Sequence, residues 1–135
     1  MIYDLPDQVE VKAMLPADSY AATTTNGSAV DVSAYEGRLL VVWDAEAVPT
    51  AGTADLHIEE REDAADSWTD IPADALQEVG SDTADTFDQV TTAAAKFQVL
   101  AIDKNRVKAQ LRAVLVVATN PDVCSVHLVG TKKYV

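Results

Sequence analysis

The chain has 135 residues, 48 % of them hydrophobic, which is enough for one domain to bury a core without disulfides or a metal. Its single cysteine excludes an intramolecular disulfide framework and a multi-cysteine zinc site. Ten Lys and Arg residues stand against 22 Asp and Glu residues, a net charge of −12. Such a chain has no bulk attraction for nucleic acid or an anionic membrane, and we expect neither as a partner.

The N-terminal segment, residues 1–19, differs from the rest of the chain. Pro6 and Pro16 fall within it, and prolines disfavour a central strand. Its large apolar side chains need a surface to cover them: Ile2, Tyr3, Leu5, Met14 and Leu15. Two interpretations stay open, an extended arm that packs on a neighbouring subunit and an edge strand of its own domain. We therefore predict an N-terminal arm or edge segment at 1–19 and a β-sandwich domain at 20–135.

Strand patterns of period two begin after this segment. Asn26-Gly27 lies between two short β-prone runs and predicts a hairpin turn. Residues 38–44 are apolar on both faces, which predicts a central strand buried on both sides. Residues 54–62 alternate cleanly, and this alternation predicts a strand with one face in the core and one in water.

Three further strands are predicted at residues 96–102, 107–119 and 123–129. In the last of them Cys124 points inward as a small buried hydrophobe and His127 points outward, so they cannot form a thiolate–imidazole pair. About seven to nine short strands separated by turns predict an all-β fold. We expect an antiparallel β-sandwich, with a jelly roll as the preferred arrangement.

The strand at 107–119 is basic along one half of its second face and apolar along the other half. One face is apolar throughout, whereas the other begins with Lys108 and Arg112 and turns apolar at Val114 and Val116. We expect this second face to be half solvated and half covered. Its apolar half and its basic stripe are therefore candidate contact surfaces.

Charge is unevenly distributed along the chain. Residues 1–95 hold 3 basic and 20 acidic side chains, whereas residues 96–135 hold 7 basic and 2 acidic ones. The favoured interpretation is internal complementarity, in which acidic strands pair with basic ones. The alternative is a basic face that meets an acidic partner.

Candidates for chemistry are few. Asp55, His57 and Glu59 occupy alternate positions of one strand, which places their side chains on one face about 6–7 Å apart. They could supply metal ligands, but an ordinary solvated face is the favoured interpretation. We predict no catalytic residue, no metal and no cofactor, and hence no enzyme. Trp68, which follows an acidic loop, is a candidate for stacking on a sugar.

The middle of the chain resembles small virion proteins of tailed phages and prophages. The resemblance covers about residues 29–76 and follows the pattern V-D-L-x-x-Y-x-G, an apolar strand, a Gly-Thr turn, a charged strand and F-T-D-V-P. The matching blocks are AVDVSAYEG at 29–37, the strand through Trp43, GT at 52–53, LHIEERED at 56–63 and SWTDIP at 67–72. These proteins include head-decoration and capsid cement proteins.

The resemblance implies a jelly roll or similar β-sandwich that binds the outside of an icosahedral capsid. Its partners would be the major capsid protein and further copies of itself, as a homodimer or homotrimer. It would be made in the host cytoplasm, consistent with a start that lacks a signal peptide, and would end on the capsid exterior. Binding only to the assembled shell would stabilise that shell. Candidate interface residues are Ile2, Tyr3, Leu5, Met14, Leu15, Lys108, Arg112, Val114 and Val116.

Two alternatives stay open. One is another virion module of the same architecture, such as a tail, head–tail junction or receptor- or glycan-binding protein, for which Trp68 would supply the sugar contact. The other is a small enzyme or metal-dependent protein centred on Asp55, His57 and Glu59.

Overall fold

A computed structural model describes residues 5–133. A one-turn helix, α1 (Leu5–Gln8), leads into β1 (Val9–Tyr20), β2 (Thr24–Asn26), β3 (Val30–Asp31), β4 (Tyr35–Ala45) and β5 (Thr53–Arg61). The chain continues through β6 (Thr69–Asp70), β7 (Leu76–Gln77), β8 (Lys96–Asp103), a 3₁₀ turn (Lys104–Arg106), β9 (Gln110–Ala118) and β10 (Asp122–Lys132). Within residues 5–133 the helical segments are too short to reach across a lipid bilayer.

The strands form two antiparallel sheets that enclose one hydrophobic core. Sheet A has the order β1-β10-β4-β8-β7. Sheet B has the order β2-β9-β5-β6, and β3 also pairs with β9. Every strand pairing is antiparallel, and buried side chains from both sheets belong to a single cluster. The prediction of an all-β antiparallel sandwich is therefore confirmed.

The central strand of sheet A buries only one of its faces completely. Leu39, Val41 and Trp43 of β4 are fully buried, and the Trp43 ring meets Phe87 edge-on at 5.7 Å between ring centroids. Leu40 and Val42, on the opposite face, are half-buried. The prediction that this strand is covered on both sides is therefore wrong in one respect: the second face is apolar but open.

The described part of the N-terminal segment is an edge strand of its own domain. β1 pairs with β10 from Val9 opposite Thr131 to Tyr20 opposite Asp122. Pro16 lies within a register shift, where a strand tolerates a missing N–H. Met14 and Leu15 are buried in the core, so neither side chain is available as a surface for a neighbour. Ile2 and Tyr3 lie outside the described residues, and so does the side chain of Leu5.

The Asn26-Gly27 hairpin prediction is wrong. β2 and β3 do not pair with each other but lie one after the other along β9, as one interrupted edge strand. The N–H of Gly27 donates to the Ala113 carbonyl at 2.7 Å, and a Cβ at Gly27 would overlap the carbonyl oxygen of Met14. Glycine is required here because another strand approaches closely. The Asn-Gly pair is a local signal, and it is the same at a hairpin turn and at such a close approach.

Part of the basic set of 96–135 pairs with acidic residues of the preceding chain. Four of the seven basic residues form such ion pairs: Lys96 with Asp88, Arg106 with Asp74, Arg112 with Glu59 and Lys132 with Glu10. Two of these pairs, Arg112 with Glu59 and Lys132 with Glu10, join neighbouring strands as the favoured interpretation of the charge pattern predicted. Exposed pairs contribute little stability individually. They do, however, leave fewer cations available for an acidic partner.

Candidate interaction surfaces

The outer face of sheet A carries an apolar surface where a sandwich usually presents polar side chains. Across β1, β10, β4 and β8, the residues directly opposite one another are Val11, Val129, Leu40 and Ala101. The adjacent row is Ala13, His127, Val42 and Val99. Two side chains at its margins are strongly exposed, Val11 at 61 % and Phe97 at 68 %. We call Val11, Leu40, Val42, Phe97, Val99 and Val129 the apolar face.

Polar residues on β4 bound the apolar face at both ends. At one end the Arg38 guanidinium donates to the Ser81 carbonyl at 2.5 Å and pairs with Asp82, which fastens the 78–83 loop over this edge of the sheet. At the other end lies the exposed Asp44. An apolar centre with a polar rim is the usual anatomy of a protein–protein contact surface.

The outer face of sheet B is instead charged and internally paired. The guanidinium carbons of Arg61 and Arg112 lie 4.3 and 4.6 Å from the centroid of the Trp68 ring, within cation–π range. Arg112 also binds Glu59 through Nη2 at 2.6 Å and Nε at 2.7 Å, and Arg61 donates to Gln110 at 2.7 Å. Arg112 is thus engaged within its own chain. The role of Trp68 as a sugar platform stays a prediction.

A histidine and two carboxylates meet at the edge of sheet B. Nε2 of His57 lies 3.7 Å from Oε1 of Glu59 and 3.6 Å from Oδ1 of Asp70. Asp70 joins the group because β6 pairs with β5 and sets it opposite Glu59. Asp55, the third residue predicted from the spacing, turns away and accepts hydrogen bonds from Gln89 at 2.9 and 3.1 Å. Strand spacing could indicate two members of the group but not the one supplied by another strand.

The separations within this group are close to those of a metal site. The three ligand atoms lie within 4.8 Å of one another. A tetrahedral zinc ion with bonds of about 2.1 Å needs ligand atoms about 3.4 Å apart. The same separations also lie within the distance of an ordinary ion pair. Oε2 of Glu59 already accepts a hydrogen bond from Arg112, and this positive charge weakens the attraction of Glu59 for a cation.

Two buried titratable groups lie near the start of β10. Burial raises the pKa of the Cys124 thiol to about 11, so this thiol is a poor nucleophile at neutral pH. His127 points to the other side of the strand, as predicted. Asp122 is fully buried, and neither carboxylate oxygen has a hydrogen-bond partner in the described structure. Burial raises the pKa of Asp122 to about 6; the nearby backbone N–H of Val123 opposes this rise without forming a well-aligned hydrogen bond, and the charge of Glu46 adds to it.

Some of the predicted contact residues on β9 and in the segment before it are exposed, and others are buried. The Lys108 side chain is exposed, while its backbone N–H donates to the buried Glu60 carboxylate at 2.9 Å. Val116 is 36 % exposed, but Val114 is buried on the same face. The apolar face was missed from the sequence because an apolar run on a strand is ordinarily interpreted as a doubly buried strand.

No model of a protein family matches this sequence, and no curated protein matches it. Among solved structures, the chain is similar to one in "Structure of infectious bursal disease virus Gt strain", with a TM-score of 0.53 and 10 % sequence identity over 93 % of this chain. This chain spans 34 % of the length of that one. At this identity the likeness shows the fold alone, an antiparallel β-sandwich found within a chain of a virus structure. The resemblance to tailed-phage proteins stays a prediction.

Proposed function

We propose that this protein is a non-enzymatic structural component of a tailed-phage virion that binds the outside of the capsid and cements neighbouring major capsid subunits. The observation that carries the proposal is the apolar face of sheet A, a contiguous hydrophobic surface on rigid strands with a polar rim. Exposed apolar patches of this kind are typical of protein-binding surfaces. The shared fold with a chain of a virus structure and the resemblance of residues 29–76 support a virion role.

The strand order supports a jelly roll as part of this proposal. The chain passes from sheet A to sheet B after β1, returns at β4, crosses again at β5 and continues to alternate until β10. The first and last strands are neighbours, and β1-β10-β4-β8 lies opposite β2-β9-β5-β6. This is the arrangement of two interleaved four-stranded sheets that a jelly roll requires.

Cementing would follow from burial of the apolar face across a boundary between capsid subunits. Each square ångström of apolar surface removed from water contributes about 25 cal/mol. Because the protein would bind the assembled shell and not separated subunits, that binding energy stabilises the shell by linkage. Many copies of a modest contact sum to a large effect. The acidic remainder of the surface favours solubility and limits non-specific association of unbound protein.

The test is binding to expanded shells assembled without the protein. The native chain is expected to bind saturably and to raise the temperature at which the shells disrupt. Val42→Glu, which places a charge at the centre of the apolar face, is expected to bind at least about tenfold more weakly, because the charge must lose its hydration on docking. Val116→Glu is the matched control, since it makes the same change on the outer face of sheet B.

Equal binding by Val42→Glu and the native chain would contradict the proposal, provided that circular dichroism shows the variant folded. Loss of binding by Val116→Glu alone would place the contact on sheet B instead. Failure of the native chain to bind expanded shells would contradict the cement role altogether.

One observation favours a second candidate, a metal-dependent protein: the meeting of His57, Glu59 and Asp70. For this candidate, Zn²⁺ is expected to raise the melting temperature of the native chain, by the equivalent of about 2.7 kcal/mol at 100 times the dissociation constant. His57→Ala is expected to abolish the shift, whereas His127→Ala, which removes the other histidine, should retain it. A zinc-dependent shift that persists in His57→Ala would exclude this site.

A further inference from the structure

The first half of β1 is an open edge of sheet A. From Val9 to Ala13 this strand pairs with β10 in unbroken register. Outside the pairing with β10 and the helical turn α1 that precedes it, no backbone group of residues 5–133 bonds to this stretch, whereas the carbonyl of Met14, just beyond it, already accepts from Ser28. The register shifts and Pro16 that protect an edge against further pairing all follow Ala13. Residues 9–13 therefore keep one row of backbone donors and acceptors free for another strand.

The sequence of this edge is complementary to itself when two copies run antiparallel. With a two-fold axis at Val11, each Val11 faces the Val11 of the second copy. Glu10 then faces the second copy's Lys12, and Lys12 faces the second copy's Glu10. Val9 and Ala13 form the flanking apolar pairs. Opposite charges directly across an antiparallel ladder stabilise it, and a two-fold contact uses each such pair twice.

The two charged side chains at this edge differ in how firmly their own chain holds them. Glu10 is fixed by the Tyr35 hydroxyl, which donates to its carboxylate at 2.5 Å, and by Lys132 at 3.3 Å. The Lys12 side chain is 51 % exposed and only 4.0 Å from Glu10, so it can turn toward a second carboxylate. A cleft of about 450 Å³ beside the strand, lined in part by Glu10, Lys12 and Asp31, leaves room at the edge.

Two copies of a chain with a net charge of −12 repel each other over most of their surfaces. At this edge the negative charge of Glu10 is more than offset by the two positive charges of Lys12 and Lys132. Pairing at Val11 would also join the row Val11, Val129 and Leu40 to its symmetry mate, which extends the apolar face across both copies. The offset charge and the apolar row therefore both favour a second copy as the occupant.

We propose that this protein forms a two-fold homodimer through antiparallel pairing of its β1 edges, centred on Val11, so that the two copies of sheet A become one continuous sheet. The dimer does not depend on capsid binding, and its failure would leave the function proposed above untouched.

The register of the dimer can be tested by disulfide formation in the full chain. Residues directly opposite in an antiparallel ladder have Cα atoms about 4.5–5.5 Å apart, within disulfide range. Val11→Cys is therefore expected to form an intermolecular disulfide on mild oxidation. Val9→Cys is the matched control and should not, because it faces Ala13, while the double variant Val9→Cys with Ala13→Cys should. The native Cys124 is buried and does not compete.

The charge pairing can be tested by sedimentation. The native chain is expected at twice its mass of 14.4 kDa, and Lys12→Glu at the mass of one chain, because the new carboxylate faces Glu10. Glu10→Lys should likewise be monomeric, and an equimolar mixture of the two variants should recover the dimer. Lys108→Glu, the same change at a distant exposed lysine, should remain dimeric.

Three results would overturn the dimer: a native chain that sediments as a monomer at every soluble concentration, a Lys12→Glu variant that stays dimeric, or equal crosslinking of Val9→Cys and Val11→Cys. Thermal unfolding of each variant establishes that it is folded. Glu10→Lys also removes the hydrogen bond between Glu10 and Tyr35 and could disturb the fold for that reason. Lys12→Glu changes an exposed side chain, so its oligomeric state tests the dimer independently of that contact.

Discussion

Replacing Asp122 by Asn is expected to stabilise the protein by about 2–3 kcal/mol at pH 7 and to change its stability little near pH 4. The buried carboxylate has no hydrogen-bond partner among the described residues, so its ionised form is costly in the folded state. Its pKa accordingly rises from 3.8 to about 6 on folding. Asn has the same shape and carries no charge at any pH.

The sign of the effect follows from proton binding. Between pH 4 and pH 6 the folded state holds a proton on Asp122 that the unfolded state has released. The contribution of this group to the free energy of unfolding therefore falls as pH rises through this window, and stays low above it. Glu10 and Asp31, whose pKa values are lowered by hydrogen bonds from Tyr35 and Ser33, act in the opposite direction. The difference between variant and native chain isolates Asp122, because those contributions are common to both.

Urea denaturation at pH 4, 5, 6 and 7 would measure this difference. Asp44→Asn, which neutralises an exposed carboxylate on the neighbouring strand β4, is the control and should give a nearly constant difference. A stability gain of Asp122→Asn that is equally large at pH 4 and pH 7 would show that the ionisation of Asp122 is not its cause. Destabilisation at pH 7 would mean that the carboxylate has a partner in solution.

Gly27→Ala is expected to destabilise the protein by about 3 kcal/mol. A Cβ at this position would meet the carbonyl oxygens of Met14 and Ala113, which are backbone atoms and cannot rotate away. Relief requires the segment around Gly27 to move away from Met14, at the cost of the hydrogen bonds that Gly27 donates to Ala113 and Ser28 donates to Met14. If Gly27 lay in a loop with room for a Cβ, alanine would stabilise the protein by about 0.4–1 kcal/mol, because it lowers the conformational entropy of the unfolded chain.

The sign of the change in the free energy of unfolding therefore distinguishes the two roles of Gly27. Chemical denaturation of Gly27→Ala and of Ser28→Ala, a change at the exposed neighbouring residue, would provide the comparison. An equal or higher stability of Gly27→Ala would contradict the close approach of Gly27 to the Met14 carbonyl.

The long strands were predictable because each carries its own periodic signal. β5, β8, β9 and β10 were predicted to within a few residues, since alternation along one strand is a local property. β2 and β3 were not, because Asn26-Gly27 is the standard hairpin signal and only the pairing with β9 reveals its different use. The N-terminal segment stayed ambiguous for a similar reason: Pro16 argues against a strand, and the register shift that accommodates it is visible only beside β10.

The surfaces were harder to predict than the strands. Nothing in the sequence around Leu40 and Val42 says whether a second layer covers them, because coverage depends on where the rest of the chain passes. Asp70 could not be assigned to the group with His57, since twelve acidic residues within 55–88 were eligible by type. The uneven charge distribution along the sequence indicated ion pairs such as that of Arg112 with Glu59. It gave no indication that Arg112 stacks on Trp68.

The place of β10 in sheet A has a consequence for how the protein comes to be folded. β10 follows the other described strands along the chain, yet it lies between β1 and β4 and is the pairing partner of both. Before β10 is synthesised, β1 and β4 both lack this pairing partner. Folds dominated by such distant pairings close in milliseconds to seconds and not microseconds. A nascent copy therefore exposes unpaired edges of β1 and β4 until β10 has been synthesised, and unpaired strand edges favour aggregation during that interval.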